Sequence, residues 1–338
     1  MVTIKDLASY TGVSCTTISN VIHGRSNRVS PETIEKVNAA IEELGYTPNM
    51  SARSLVSKSS KVVAFINHVI IREGTNVTED PFHSSTIGMI EHKLRQNGYY
   101  LMLRTISTPE ELIHFLQNWS IDGLFLTGIF HDTFYEALST FRIPTVLIDS
   151  YVQQKRFYNI GLEDFNGSYL ATSHLIEKGH RRIGYASPFF RDGGVLQERF
   201  LGYKAALTKH GIPFDASINF EYEMDSMEAL QTAADDILTH PDITGIVASA
   251  DQMAAGIMAG LHKRGVRIPE DISIVGFDDI SLAQMVYPQL TTIHQDMHTK
   301  AQYAADTMLQ LLDRSKPASR NVILPVHLVE RDSVKSLL

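Results

Sequence analysis

Apolar residues recur at helical spacing through the first 46 positions. Ile4, Leu7 and Ala8 form a first stripe, preceded by Thr3 and Asp6 at the spacing of a capping box. Thr11-Gly12-Val13 breaks the pattern, and Gly12 suits the positive φ of a tight turn. Ser14 then caps a second helix with the stripe Ile18, Val21 and Ile22. Ser30-Pro31 opens a third, whose stripe is Ile34, Val37, Ile41 and Leu44 and whose stop is Gly45. From Lys61 the pattern changes. Short apolar runs (Val62–Ile66, Tyr100–Leu103, Gly123–Leu126, Thr145–Ile148, Ile183–Ala186, Ile246–Ala248, Ile272–Gly276, Val326–Val329) alternate with amphipathic segments. Several of those segments have clear ends: Thr108-Pro109 opens one, a helix over 166–178 stops at Gly179, and one over 251–264 stops at Gly265. The alternation predicts doubly wound parallel sheets. Residues 61–338 are too many for one such sheet, so two lobes are expected.

Two short helices joined by a tight turn make a helix-turn-helix unit. The second helix leaves Cys15, Thr16, Thr17, Ser19, Asn20 and His23 off its apolar stripe. Short polar side chains with few charges suit a helix lying in a major groove, where they meet base edges. An ordinary solvated face is the alternative, but such faces usually carry more Lys and Glu. Charge sharpens the picture. The chain is −8 overall, yet residues 1–61 hold seven Lys/Arg against five Asp/Glu. A basic head on an acidic body suits a phosphate-binding module attached to a sensor. Residues 47–60 contain Pro48 and Asn49 and are serine-rich; they read as a linker, or as a two-turn helix over 50–56 that is marginal alone.

Other chemistries find little support. The single cysteine, Cys15, excludes an internal disulfide; its place at a helix start invites a redox-switch reading, though a small groove-facing residue explains it more simply. No apolar stretch reaches membrane-span length, no signal peptide opens the chain, and a cytoplasmic protein is expected. Glycine-rich phosphate loops and a nucleophile elbow are both missing, which argues against an enzyme. His294 and His298 lack a patterned third ligand, so neither a metal site nor a cofactor is implied.

The run Thr3-Ile4-Lys5-Asp6-Leu7-Ala8, Gly12-Val13-Ser14, Thr16-Thr17-Ile18-Ser19, Val21-Ile22, Val29-Ser30, Glu42, Leu44-Gly45-Tyr46, Pro48-Asn49 and Ala52-Arg53-Ser54-Leu55 resembles the head of the LacI/GalR family of repressors. Looser similarity continues to the C-terminus through Asp122-Gly123, Gly179-His180-Arg181-Arg182-Ile183, Arg199-Phe200-Leu201-Gly202-Tyr203, Asp251-Gln252-Met253-Ala254, Ile274-Val275-Gly276-Phe277-Asp278-Asp279 and Leu290-Thr291-Thr292-Ile293. The resemblance implies a helix-turn-helix domain (1–46), a hinge (47–60) and an effector-binding, dimerising body (61–338). The body would have two lobes of the periplasmic-binding-protein type, 61–160 with 294–320 and 161–293 with 321–338, joined by three crossings. It also implies a homodimer on palindromic double-stranded operator DNA. Thr3, Ser14, Cys15, Thr16, Thr17, Ser19, Asn20, His23, Arg25, Tyr46, Asn49, Ala52, Arg53 and Leu55 would contact it, Leu55 as a wedge in the minor groove. Without the resemblance, Leu55 would read as a linker residue touching the body.

For the effector, the resemblance implies Phe82 at a helix start, Asp149 after a strand, Arg199, Asp251, Asp278 and Gln295, the last at the third crossing. The alternatives are that Asp251, like Asp278 and Asp279, only caps a helix, and that Arg199 forms a salt bridge between the lobes. The loop Phe189–Glu198 has no assigned contact. A sugar-like effector controlling a catabolic repressor is the leading expectation. A purine-responsive co-repressed regulator and a cytosolic solute-binding receptor are the alternatives.

Overall fold

The computed structural model describes residues 2–22, 24, 26–47, 59–68, 80–152, 155–222 and 227–338. These form two units, residues 1–60 and 61–338.

The first unit is built by its caps. Thr3 Oγ1 accepts from the Asp6 amide while the Asp6 carboxylate accepts from the Thr3 amide, so α1 (Ile4–Thr11) starts on a complete capping box. Gly12 ends it in the left-handed region, φ 68°. Ser14 Oγ accepts from the Thr17 amide at 3.1 Å and opens α2 (Cys15–Ile22). Ser30 and Pro31 open α3 (Pro31–Leu44), and Gly45 closes it. Leu7, Ile18, Val37 and Ala40 are buried together, one or two from each helix, so the predicted stripes meet in one small core.

Among the described residues, the second unit contains two six-stranded sheets. Its strands are β1 (Val62–Asn67), β2 (Tyr100–Thr105), β3 (Gly123–Thr127), β4 (Thr145–Ile148), β5 (Tyr158–Leu162), β6 (Ile183–Ser187), β7 (Asn219–Glu221), β8 (Gly245–Ala248), β9 (Ser273–Asp278), β10 (Thr291–Gln295), β11 (Asn321–Leu324) and β12 (Val326–Val329). The first sheet runs β11-β5-β4-β3-β1-β2, all parallel. The second runs β12-β10-β9-β8-β6-β7, with only β12 antiparallel. Both faces of each sheet are covered, so strands such as β3 and β4 are buried along their whole length.

Alternation along β1 shows the layering. Val63 and Phe65 face α4 (Pro81–Gln96) and α12 (Met297–Leu312), while Ala64 and Ile66 face α5 (Pro109–Asn118) and α6 (Thr133–Thr140). In the second lobe α7 (Asp164–Glu177) and α8 (Val195–Lys209) cover one face. α9 (Met227–Leu238) and α10 (Asp251–Lys263) cover the other, and the short α11 (Leu282–Met285) follows β9.

The chain passes between lobes three times, after β5, after β10 and between β11 and β12. Three expected boundaries need correction, the first because β5 runs to Leu162 in the first sheet, so residues 161 and 162 lie in the first lobe. Residues 321–324 belong to the first lobe, because β11 pairs with β5 from Asn321↔Asn159 to Leu324↔Leu162; only after Pro325 does the chain join the second sheet. Residues 294 and 295 belong to the second lobe, as the end of β10, so Gln295 stands at the second crossing and not the third.

Candidate functional site

The head presents one polar surface. Ile18 turns the apolar side of α2 inward, leaving Ser14, Cys15 and Thr16 exposed and Thr17, Ser19 and Asn20 half-buried. Ser14 and Thr17 also bond each other, Oγ to Oγ1 at 2.9 Å, so part of their capacity is spent on the helix start. Thr3 is likewise engaged as a cap with Asp6. Tyr46 differs from expectation: its ring packs into the head core and only 9% of the residue is exposed, which makes it a support for the surface. His23, Arg25, Asn49, Ala52, Arg53 and Leu55 lie outside the described residues.

In the second unit a cleft of about 560 Å³ opens between the lobes, at the carboxyl ends of β3, β4, β9 and β10. The expected residues Phe82, Asp149, Arg199, Asp278 and Gln295 all line it. Its floor is a chain of ion pairs and hydrogen bonds that spans both lobes. Lys300 Nζ, on α12, donates to both oxygens of Asp149 and to Gln295 Oε1, each at 2.8 Å. Gln295 Nε2 donates to Asp278 Oδ1 at 2.6 Å. Arg199 contacts the same oxygen at 3.4 Å, donates through Nε to Asp164 Oδ1 at 2.8 Å, and reaches the Ser249 carbonyl at 2.5 Å. Tyr151 Oη completes the chain on Asp164 Oδ2 at 2.6 Å. The guanidinium lies over the Phe277 ring, 3.6 Å from its centre.

Backbone strain gathers here. Asp149, Asp278 and Asp279 have φ of 52°, 112° and 55°, conformations that cost non-glycine residues about 1–3 kcal/mol each and persist where surroundings impose them. Burial drives the electrostatics. It raises the Asp278 carboxyl to about 6, against the opposing pull of Arg199. It also raises Asp164, again opposed by Arg199. Burial by itself would lower Arg199, but Asp164 and Asp278 outweigh it and hold the guanidinium above its ordinary value.

The sign of the pH effect follows. The unfolded Asp278 loses its proton near pH 4, the folded one near 6, so across that window the unfolded chain binds fewer protons and folding weakens as pH rises. Wild type is expected to lose stability relative to Asp278→Asn between about pH 4 and above 6. Paired urea-unfolding midpoints measure this; a constant gap would contradict it.

Asp251 is corrected. It is fully buried and absent from the cleft wall. Oδ1 accepts from Thr292 Oγ1 at 2.5 Å and Oδ2 from the Ile280 amide at 2.9 Å, which ties α10 to β10 and to the turn after β9. A side chain at Gly276 would strike it, at 2.3 Å from Oδ1. Asp251 therefore positions the turn bearing Asp278 and caps nothing, since Ala250 precedes α10 without a side-chain cap bond.

Sequence reasoning missed Lys300, although a signal existed: Lys300, Ala304 and Met308 are spaced i, i+4, i+8 on the buried stripe of α12. It also left the 189–198 loop unassigned. Phe189, Phe190, Arg191, Gly194, Val195 and Leu196 line the cleft, and Arg191 reaches across to Asp132 of the other lobe at 3.1 Å while lying over Phe130.

The signature of bacterial regulatory proteins of the lacI family matches residues 3–49, and that of a periplasmic binding protein-like domain matches residues 172–334. The HTH-type transcriptional repressor PurR of Vibrio atlanticus (strain LGP32) is 33% identical over 344 residues, covering all of both chains. The ribose operon repressor of Haemophilus influenzae (strain ATCC 51907 / DSM 11121 / KW20 / Rd) is 31% identical, also over the full length of both. A structure of the Lac repressor dimer bound to operator and the anti-inducer ONPF superposes with a TM-score of 0.85 at 28% identity, covering 99% of each chain. With a capped helix-turn-helix head, a two-lobed body and end-to-end similarity, this chain belongs to the LacI family of bacterial regulatory proteins.

Proposed function

We propose that this LacI-family regulator is a repressor of a catabolic operon, switched by a sugar or sugar derivative held between its lobes. Its DNA-binding head and effector-binding body are those of a repressor and not of an enzyme. The observation that carries the sugar reading is the cleft floor. Asp149, Asp278, Gln295 and Arg199 offer acceptors and donors in one place, each already oriented by a buried partner, which suits a ring of hydroxyls. Relatives point the same way: a solved relative, CelR, holds cellobiose, and another is a ribose operon repressor. The PurR relative and the aromatic cleft wall favour a purine as the second reading.

By the same likeness we place the protein in the cytoplasm as a homodimer, each head on one half of a palindromic operator. Lobe closure around the effector would change the spacing of the two heads. The test is a thermal-shift screen of sugars and purine bases, with each hit retested for its effect on operator binding. A sugar that shifts melting and alters operator affinity supports the proposal; a purine doing so alone replaces it. Operator affinity itself is expected to fall by about 10³-fold or more between 50 and 200 mM salt, because phosphate contacts dominate. Fluorescence anisotropy across that range measures it, and a flat response would contradict a phosphate-binding head.

A further inference from the structure

The cations at the cleft are already spoken for. Lys300 is held by Asp149 and Gln295, Arg199 by Asp164, Asp278 and the Ser249 carbonyl, Arg191 by Asp132, and His83 faces Asp80. Among the described lining residues none is left to neutralise a phosphate or carboxylate, which would instead meet Asp149 and Asp278. Uncharged hydroxyls face no such penalty, since both carboxylates keep lone pairs for donors.

The outer part of the cleft is different in kind. Ile129 and Phe130 come from the first lobe; Phe189, Phe190, Val195 and Leu196 come from the second. Gln295 is 1% exposed and Arg199 6%, so the polar groups lie deep, whereas Phe189 is 59% exposed. The loop carrying these rings is braced: Gln197 Oε1 accepts from the Gly193 amide at 2.6 Å, and its Nε2 donates to Asp192 at 2.7 Å. Gly194 passes so close to Phe130 that an added side chain would sit 2.8 Å from the ring. A free sugar on the floor would leave this apolar wall in water.

We infer that the effector is an uncharged glycoside, with its sugar ring on the polar floor and an apolar, aromatic aglycone between Phe130 and the Phe189–Leu196 loop. This rests on the sugar reading above and narrows it. An aromatic group moved from water onto such a wall gains from area and from ring geometry.

The test uses the full-length dimer and matched pairs: methyl and phenyl glycosides of glucose, galactose, mannose and xylose in both anomers, with the corresponding sugar phosphates, adenine and hypoxanthine. Titration calorimetry is expected to find at least one phenyl glycoside about tenfold or more tighter than its methyl partner. Phe189→Ala is expected to narrow that gap. Its ring is largely exposed, so its loss leaves the core packed, and an unchanged melting temperature without ligand checks this. Equal affinities within every methyl and phenyl pair that binds overturn the aglycone while leaving the sugar reading intact. A sugar phosphate that binds more tightly than its parent sugar overturns the claim of neutrality. Binding of a purine base alone, or of no probe, overturns the sugar reading as well.

Discussion

Replacing Arg199 with leucine is expected to destabilise the body by about 3–5 kcal/mol, the usual cost of removing one partner from a buried ionic network. Arg199 is the central cation of the cleft floor, touching Asp164, Asp278 and the Ser249 carbonyl from a buried position. Without it two carboxylates whose pKa burial already raises would keep only Lys300, which Asp149 and Gln295 already hold, as a nearby counter-charge. The protein would respond by protonating them or by opening the lobes, and either response removes groups proposed to meet the effector. Urea unfolding of the full chain measures the loss. The double variant Arg199→Leu with Asp164→Asn should recover part of it, because the two changes act on one network. A loss below about 1 kcal/mol, or strictly additive effects, would show that the floor is held by packing and not by its ion pairs.

Asn20→Ala and Thr16→Ala are expected to weaken binding to a selected inverted-repeat site by about 1–3 kcal/mol each, roughly 5- to 150-fold, while binding to random duplex changes little. Both side chains lie off the buried stripe of α2, whose core contact is Ile18. Neither has a recorded capping role, unlike Ser14 and Thr3, whose replacement would also unsettle a helix start. The difference separates reading bases from holding the head together. Anisotropy at fixed salt, with the site recovered by selection from random duplexes, measures both affinities. Equal losses on both duplexes would assign these residues to the phosphate backbone.

Local chemistry was readable directly. The caps at Thr3, Ser14, Ser30 and Thr108 formed where the sequence places them, because a cap needs only residues three positions apart. β3, β4, β6 and β8 were also legible from their unbroken apolar runs, since a strand covered on both faces has no polar side to present. β5 and β10 were not, because Asn159 and His294 interrupt them. Asn159 is tolerated only because its amide meets Ser150 and Asn321, and His294 because it meets Asp279. β7 and β11 are short edge strands, made by pairing and not by pattern.

The site divides the same way. Its individual carboxylates, amide and guanidinium were named from their neighbours along the chain and from family likeness, but their roles came from distance in space. Asp149 and its partner Lys300 are 151 positions apart in sequence, and Arg199 and Asp278 are 79. Asp251 turned from ligand candidate to brace once Thr292 and Ile280 closed over it. Hydrogen-bonded helices and buried strands are written in short-range spacing, which a linear chain displays. The pairing of buried charges depends on which strands lie side by side and where the lobes cross, and a residue's own neighbours in sequence carry no record of that.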